Sequence, residues 1–110
     1  MSDSQTPMEL LRQLAPEFAK NQMDAKALLF EHPNYQAVPA KYKILMGIAV
    51  AAAIGADTCV KMWSRQAIEH GATDQEIVEA ILVARFMNQA SVNDFTSETL
   101  ADLVKARTSS

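Results

Sequence analysis

The chain has 110 residues and a mass of 12.1 kDa, which is the size of one domain. Its net charge is −3, and its Lys and Arg residues are scattered singly, which argues against a nucleic-acid-binding surface. The longest apolar run, residues 44–56, is shorter than the roughly 20 residues that cross a bilayer. The N-terminus has neither the basic nor the apolar region of a signal peptide. We therefore expect a cytoplasmic protein without nucleic-acid or membrane partners.

The composition favours helices. Hydrophobic residues make up 49% of the chain, aromatic residues only 6%, and there are three glycines. Such a chain packs through aliphatic side chains in long helices and lacks the turns of a β fold. The single cysteine, Cys59, excludes an internal disulfide, and no Cys-x-x-Cys spacing is present. We expect neither a metal nor a cofactor.

The first elements are marked by capping residues and prolines. Thr6, Pro7 and Glu9 form a capping box that predicts the start of a first helix. Pro16 predicts the start of a second helix. The stretch "HPNYQAVP", residues 32–39, contains two prolines and predicts a loop.

The third predicted helix runs from Pro39 to about Ile54 and is apolar around its whole circumference after Lys43. Such a helix is normally buried on all sides. Gly47 and the alanines of this helix leave room for neighbouring helices to approach closely, and Gly55 is a natural stop. Because so short a chain covers this helix with difficulty, we expect an oligomer whose other subunits complete the core, with a compact monomeric bundle as the less favoured alternative.

Three more helices are predicted after Gly55. Asp57 is expected to cap the fourth, which carries Cys59 and ends at Gly71, with His70 capping its C-terminus. The pair Thr73 and Glu76 forms a second capping box, and "SVND", residues 91–94, predicts the start of a last helix. The sequence therefore predicts an all-α bundle of about six helices.

The stretch "PAKYKILMGIAVAAAIGADTCVKMWSRQAIEHGATDQEIVEAILVA", residues 39–84, carries a family likeness. It resembles the carboxymuconolactone decarboxylase and alkylhydroperoxidase D-like superfamily, above all in "GATDQEIVEAI". The resemblance implies one domain over residues 1–110 with its family-like core at residues 39–84. It also implies an all-helical fold assembled as a homo-trimer or homo-hexamer.

The functional positions of that family are mostly substituted. When the sequences are aligned on Gly55, Ala56 stands at the first cysteine of the peroxidase-type members and Cys59 at the second. Trp63 stands at the family histidine, and Ile44 at the family glutamate. The resemblance therefore implies a degenerate Cys-x-x-Cys redox centre. The loss of the glutamate and the histidine also puts the lactone decarboxylases' route in doubt.

Several functions remain open from the sequence. Cys59 is either a buried packing residue or a reactive thiol near a helix N-terminus. An apolar pocket near Cys59, lined by Ile44, Ala56, Met62 and Trp63, would bind or act on a small carboxylate or lactone-like compound. The alternatives are a one-cysteine thiol peroxidase of peroxiredoxin type with Cys59 as nucleophile, and a non-catalytic assembly or partner-binding protein.

Overall fold

The computed structural model describes residues 5–108, and these residues form five α-helices, one 3₁₀ turn and no strand. The predicted all-α fold is confirmed. None of the helices within residues 5–108 combines the length and apolar character that a membrane span requires. In chain order the elements are α1 Pro7–Leu14, α2 Pro16–Glu31, the 3₁₀ turn Pro33–Tyr35, α3 Ala40–Ile54, α4 Asp57–Glu69 and α5 Asp74–Thr108.

The chain divides into two compact units between Ala40 and Lys41. In the first unit, the capping box at the start of α1 is confirmed. The Thr6 hydroxyl accepts a hydrogen bond from the Glu9 backbone N–H at 3.1 Å, and the Glu9 carboxylate accepts one from the Thr6 N–H at 3.2 Å. Helix α2 begins at Pro16, as predicted. The predicted loop after it contains the 3₁₀ turn, where His32 Nδ1 accepts from the Asn34 N–H at 3.1 Å.

In the second unit, both predicted glycine stops are confirmed. Gly55 has φ +77° and Gly71 has φ +87°, a left-handed backbone conformation that residues other than glycine adopt only at an energetic cost. At the end of α3 the Ala56 N–H donates to the Ala51 carbonyl at 2.8 Å, and at the end of α4 the Ala72 N–H donates to the Ala67 carbonyl at 2.9 Å. This pattern is the Schellman motif, which satisfies the last carbonyls of each helix.

The buried residues of the second unit are small or β-branched. Ile44, Ile48 and Ala51 lie on one face of α3, at positions i, i+4 and i+7, and the other members are Ala67, Ala72 and Ala84. Because alanine adds little bulk, helices that meet through it can approach closely. The core of this unit is therefore made of a few small or β-branched side chains.

Helix α3 is covered on one face only. Met46, Val50 and Ile54 lie on another face, four residues apart, and each is more than half exposed. One chain alone therefore does not bury α3 on all sides, and its complete burial by other subunits stays a prediction. The physical reason is that the helices of one chain this short cover one side of an apolar helix and leave the other side to water.

The start of α4 differs from the prediction by one residue. Asp57 is the first helical residue rather than the cap, and Ala56 is the N-cap without a side-chain hydrogen bond. Ala56 already closes the Schellman motif of α3, so α4 begins directly after it. The Asp57 carboxylate instead accepts from the neighbouring Thr58 N–H at 2.8 Å.

Helix α5 continues through the predicted boundary at residues 91–94. It is one helix of 35 residues, about 52 Å long, so the prediction of a separate last helix is wrong. The hydroxyl groups after the expected boundary bond back to carbonyls of their own helix. Thr96 donates to the Val92 carbonyl at 2.8 Å, and Ser97 to the Asp94 carbonyl at 2.9 Å. Side chains engaged in this way accompany a continuous helix and do not begin a new one.

Candidate functional site

Cys59 lies in the first turn of α4 as its third residue, and its side chain is exposed. The position follows from the tight turn at Gly55, which brings the chain out of α3 and into α4 with only Ala56 between that turn and Asp57. An exposed thiol can meet solvent oxidants and small electrophiles, whereas a buried one is inert. Within a single chain, Cys59 is therefore not a buried packing residue.

Trp63 follows Cys59 by one helical turn, so the two side chains lie on the same side of α4. The indole is half-buried and packs against α3 at Gly47. A Cβ atom built on Gly47 would lie 3.7 Å from both Cδ2 and Cε3 of Trp63, which is ordinary van der Waals contact. The close approach predicted at Gly47 is confirmed. The contact places the indole against helix α3.

The other three predicted pocket residues have different environments. Ile44 is only 2% exposed and belongs to the buried face of α3. Ala56 is half-buried in the turn between α3 and α4, and Met62 is exposed on α4. Ile44 can therefore contribute only as a buried wall. Its burial also explains the apolar residue at this position, because a carboxylate here would need a partner to offset its desolvation.

A polar cluster joins the starts of α3 and α5. Lys41 Nζ lies 3.0 Å from a carboxylate oxygen of Glu76 and 5.4 Å from the centre of the Tyr42 ring. The other carboxylate oxygen of Glu76 accepts from the Thr73 N–H at 2.9 Å, and the Glu76 N–H donates to the Thr73 hydroxyl at 3.1 Å. The predicted capping box at Thr73 is therefore confirmed.

These contacts hold the pKa of Glu76 below its usual value, mainly through the Thr73 N–H hydrogen bond and then through Lys41. Sequence reasoning identified the cap but missed the ion pair with Lys41. The two residues are far apart in the sequence, and only the positions of two helix starts bring them together. The cluster is structural, since the ion pair joins the start of α3 to that of α5 and the hydrogen bonds with Thr73 cap α5.

The two histidines have local structural roles. Nδ1 of His70 lies 2.8 Å from the Gln66 carbonyl, so a proton on that nitrogen caps the end of α4, as predicted. His32 holds the 3₁₀ turn, and its ring lies 5.8 Å from that of Tyr35. Within residues 5–108, no group of three or more His, Cys, Asp or Glu side chains is placed to hold a metal ion.

Comparison with known proteins supports both the fold and the family. A crystal structure of a protein from Methanobacterium thermoautotrophicum, a Northeast Structural Genomics Consortium target, is similar to this chain with a TM-score of 0.71 and 23% identity. The similarity covers 79% of this chain and 94% of that one, and at this identity it supports the fold alone. No curated protein matches the chain significantly.

The sequence profile of the carboxymuconolactone decarboxylase family matches residues 16–99. This match is wider than the stretch that carries the resemblance, residues 39–84, and includes it entirely. It contains Gly47, Cys59 and Trp63, so the candidate site lies inside the family region. The chain belongs to the carboxymuconolactone decarboxylase family.

Proposed function

We propose that this family member binds or acts on a small organic compound, carboxylate-like or lactone-like, at the surface that carries Cys59 and Trp63. The observation that carries the proposal is the placement of a half-buried indole against Gly47, one helical turn from an exposed thiol. A ring fixed in this way presents a flat apolar surface on which a planar ligand can stack. Met62 and Ala56 would extend that surface, with Ile44 behind it.

The residues at these positions favour binding over the thiol-pair redox cycle of the peroxidase-type relatives. Trp63 can donate one hydrogen bond from its indole N–H, but it cannot shuttle protons as a histidine does. A chain with one cysteine cannot close an internal disulfide. We therefore infer that the ligand is held mainly by apolar contact with the indole ring.

The test uses Trp63 as its own reporter, because it is the only tryptophan in the chain. The protein is titrated with a panel of aromatic acids and lactones while the fluorescence is followed. We expect a saturable change for at least one compound, and calorimetry should give the same affinity. Cys59→Ser is the matched control: retained binding means a non-covalent site, and lost binding places the thiol in it. No fluorescence change and no heat across the panel would refute the proposal.

A second candidate function is a one-cysteine thiol peroxidase, and the exposure of Cys59 favours it. The Cys59 thiolate would attack one oxygen of a peroxide and break the O–O bond. This step gives a sulfenic acid on Cys59 and releases an alkoxide, which takes up a proton as alcohol. An external thiol would condense with the sulfenic acid and release water, and a second thiol would free Cys59 by disulfide exchange.

Peroxide consumption tests this candidate when a small thiol is supplied as reductant. We expect turnover by the native protein and none above background by Cys59→Ser, together with a dimedone adduct on Cys59 in the native protein. Equal rates for the two proteins would exclude the thiol as nucleophile. If ligand binding and turnover are both absent, the third hypothesis, a non-catalytic assembly or partner-binding protein, gains support.

We also propose that the chain works as a homo-trimer or homo-hexamer in the cytoplasm. The exposed apolar face of α3, formed by Met46, Val50 and Ile54, supports an assembly because such faces are costly in water. A reducing compartment fits a single exposed cysteine. Light scattering at several concentrations measures the assembly, and a mass of 12.1 kDa at all of them would refute it.

A further inference from the structure

His32 lies between two elements and caps both of them. It is the C-cap residue of α2 and the N-cap residue of the 3₁₀ turn. Its Nδ1 atom accepts a hydrogen bond from the Asn34 N–H at 3.1 Å, so this nitrogen carries no proton while the bond is present. The proton of the neutral ring is then on Nε2, and a second proton can bind only at Nδ1. The ring therefore cannot become charged and keep this hydrogen bond.

The carbonyl end of α2 offers a charged ring a better environment. Positive charge is favourable at the C-terminus of a helix, and the last turn of α2 contains no basic residue. A charged His32 would supply the cation that this helix end lacks. If the charged ring instead stayed at the 3₁₀ turn, its Nδ1–H would face the Asn34 N–H, and two donors would oppose each other.

His70 shows how this chain places a histidine against a helix end. It is the C-cap residue of α4, and its Nδ1 atom lies 2.8 Å from the carbonyl oxygen of Gln66, four residues earlier. The direction of Cβ relative to the preceding helix depends on φ, which is −93° in His70 and −71° in His32. These values are similar, so rotation of the His32 side chain brings its ring toward the equivalent carbonyl, that of Leu28.

We propose that His32 is a pH-sensitive switch between these two partners. The neutral ring accepts from the Asn34 N–H and caps the 3₁₀ turn. The charged ring leaves the turn and donates from Nδ1 to the Leu28 carbonyl at the end of α2. Histidine side chains change charge between about pH 5 and 8, so the exchange falls in this range. The inference is independent of the proposed ligand and of the proposed assembly.

The groups that flank His32 leave the switch to the imidazole. On the side of the 3₁₀ turn, the Tyr35 ring lies 5.8 Å from the imidazole, centre to centre, and on the side of α2 the neighbouring ionisable residue is Glu31. Histidine is the side chain that ordinarily changes charge in this pH range, whereas phenol and carboxyl groups do not. Gln36 donates from its uncharged amide to the carbonyls of Phe30 and His32 at 3.0 and 3.1 Å.

The backbone of the connection is held in both states. The Tyr35 N–H donates to the His32 carbonyl at 3.0 Å, and the Gln36 amide bonds to the same carbonyl. Neither bond uses the imidazole. Protonation should therefore move the His32 ring away from Asn34 and Tyr35 without unfolding α2.

Nitrogen-15 NMR of the two histidine rings tests the neutral state. At pH 8, we expect His32 to carry its proton on Nε2 and His70 to carry its proton on Nδ1, because one ring accepts and the other donates through Nδ1. The chain has only these two histidines, so one spectrum compares them. A proton on Nδ1 of His32 at pH 8 would overturn the inference.

The exchange itself is followed as the pH is lowered until the ring nitrogens of His32 report a charged imidazole. The temperature coefficient of the Asn34 amide proton, small for a hydrogen-bonded amide, should become larger in magnitude. The Overhauser contacts between the rings of His32 and Tyr35 should weaken, and the carbonyl carbon of Leu28 should shift downfield. Loss of the Asn34 bond without a change at Leu28 would overturn the switch, as would an unchanged Asn34 amide beside a charged ring.

His32→Asn is the matched variant, since asparagine also accepts a hydrogen bond at an N-cap and does not titrate. Its Asn34 amide should keep a small coefficient over the whole pH range, and Leu28 should not respond. His70→Asn should respond as the native protein does, because it keeps His32. Equal changes at Asn34 in the native protein and in His32→Asn would overturn the inference.

Discussion

Replacement of Gly47 by alanine should stabilise the protein. Gly47 lies in the interior of α3 and does not have a positive φ, so alanine can adopt its backbone conformation. The added methyl group would lie 3.7 Å from Cδ2 and Cε3 of Trp63, at ordinary contact distance. The substitution therefore removes the helix penalty of glycine without displacing the indole.

The expected gain is about 1 kcal/mol, the difference in helix propensity between glycine and alanine. For a chain of this length, this gain corresponds to a rise in Tm of roughly 4 °C at fixed protein concentration. Circular dichroism during thermal and urea unfolding measures it. The emission maximum of Trp63 should stay unchanged, because the ring keeps its place.

Gly47→Leu is the matched control. A leucine side chain cannot fit in the space that accepts one methyl group, so the indole must move, at a cost of about 1–3 kcal/mol. The Trp63 emission should shift to the red as the ring becomes more exposed. If Gly47→Ala lowers the Tm, or if Gly47→Leu leaves both stability and emission unchanged, the described packing of Trp63 on Gly47 is incorrect.

Three other outcomes are expected. Glu76→Gln should lower the Tm at pH 7. The difference in Tm from the native protein should shrink as the pH falls below about 4.5, because a carboxylate with a lowered pKa stabilises the fold only while it is ionised. An equal difference in Tm at pH 7 and pH 3 would contradict this. Thr73→Ala should lower the free energy of unfolding, measured in urea, by about 1 kcal/mol, because the N-terminal cap of α5 is lost. An unchanged free energy of unfolding would contradict this. The Cys59 thiol should react with a disulfide reagent in the folded protein nearly as fast as in the urea-unfolded chain, and strong protection would contradict its exposure.

Helix ends were predictable from the sequence where a residue type has one well-defined role, as threonine has in a capping box and glycine at a helix C-terminus. Thr6 and Thr73 cap helices through a hydroxyl and a glutamate three residues later, and both caps are present. Gly55 and Gly71 end helices in a conformation that favours glycine. These signals are local, so the sequence alone identifies them.

Two predicted helix starts were wrong, because residue types that cap helices also occur at other positions in them. Ser91–Asp94 has the composition of a helix start, but the hydroxyls that follow it bond within a continuing helix. Asp57 resembles a cap, but Ala56 already occupies that place because it closes the preceding helix. In both places, hydrogen bonds made by residues outside the predicted cap determine where the helix begins.

The candidate site was partly predictable. The α4 spacing alone places Trp63 one turn after Cys59. The sequence could not say which residue of α3 meets the indole, or that Lys41 pairs with Glu76, because both contacts depend on the placement of whole helices. The exposure of Cys59 likewise depends on how much of α4 its neighbours cover, which composition does not determine.

The two left-handed glycines also bear on how fast the second unit folds. Gly55 and Ala56 alone separate α3 from α4, and four residues, His70–Thr73, separate α4 from α5. Connections this short leave little loop-closure entropy to overcome, and contacts such as that of Trp63 with Gly47 join neighbouring helices. Helical units with contacts this local fold in microseconds to milliseconds. Helices α3 to α5 are therefore expected to form before any slower meeting of two chains.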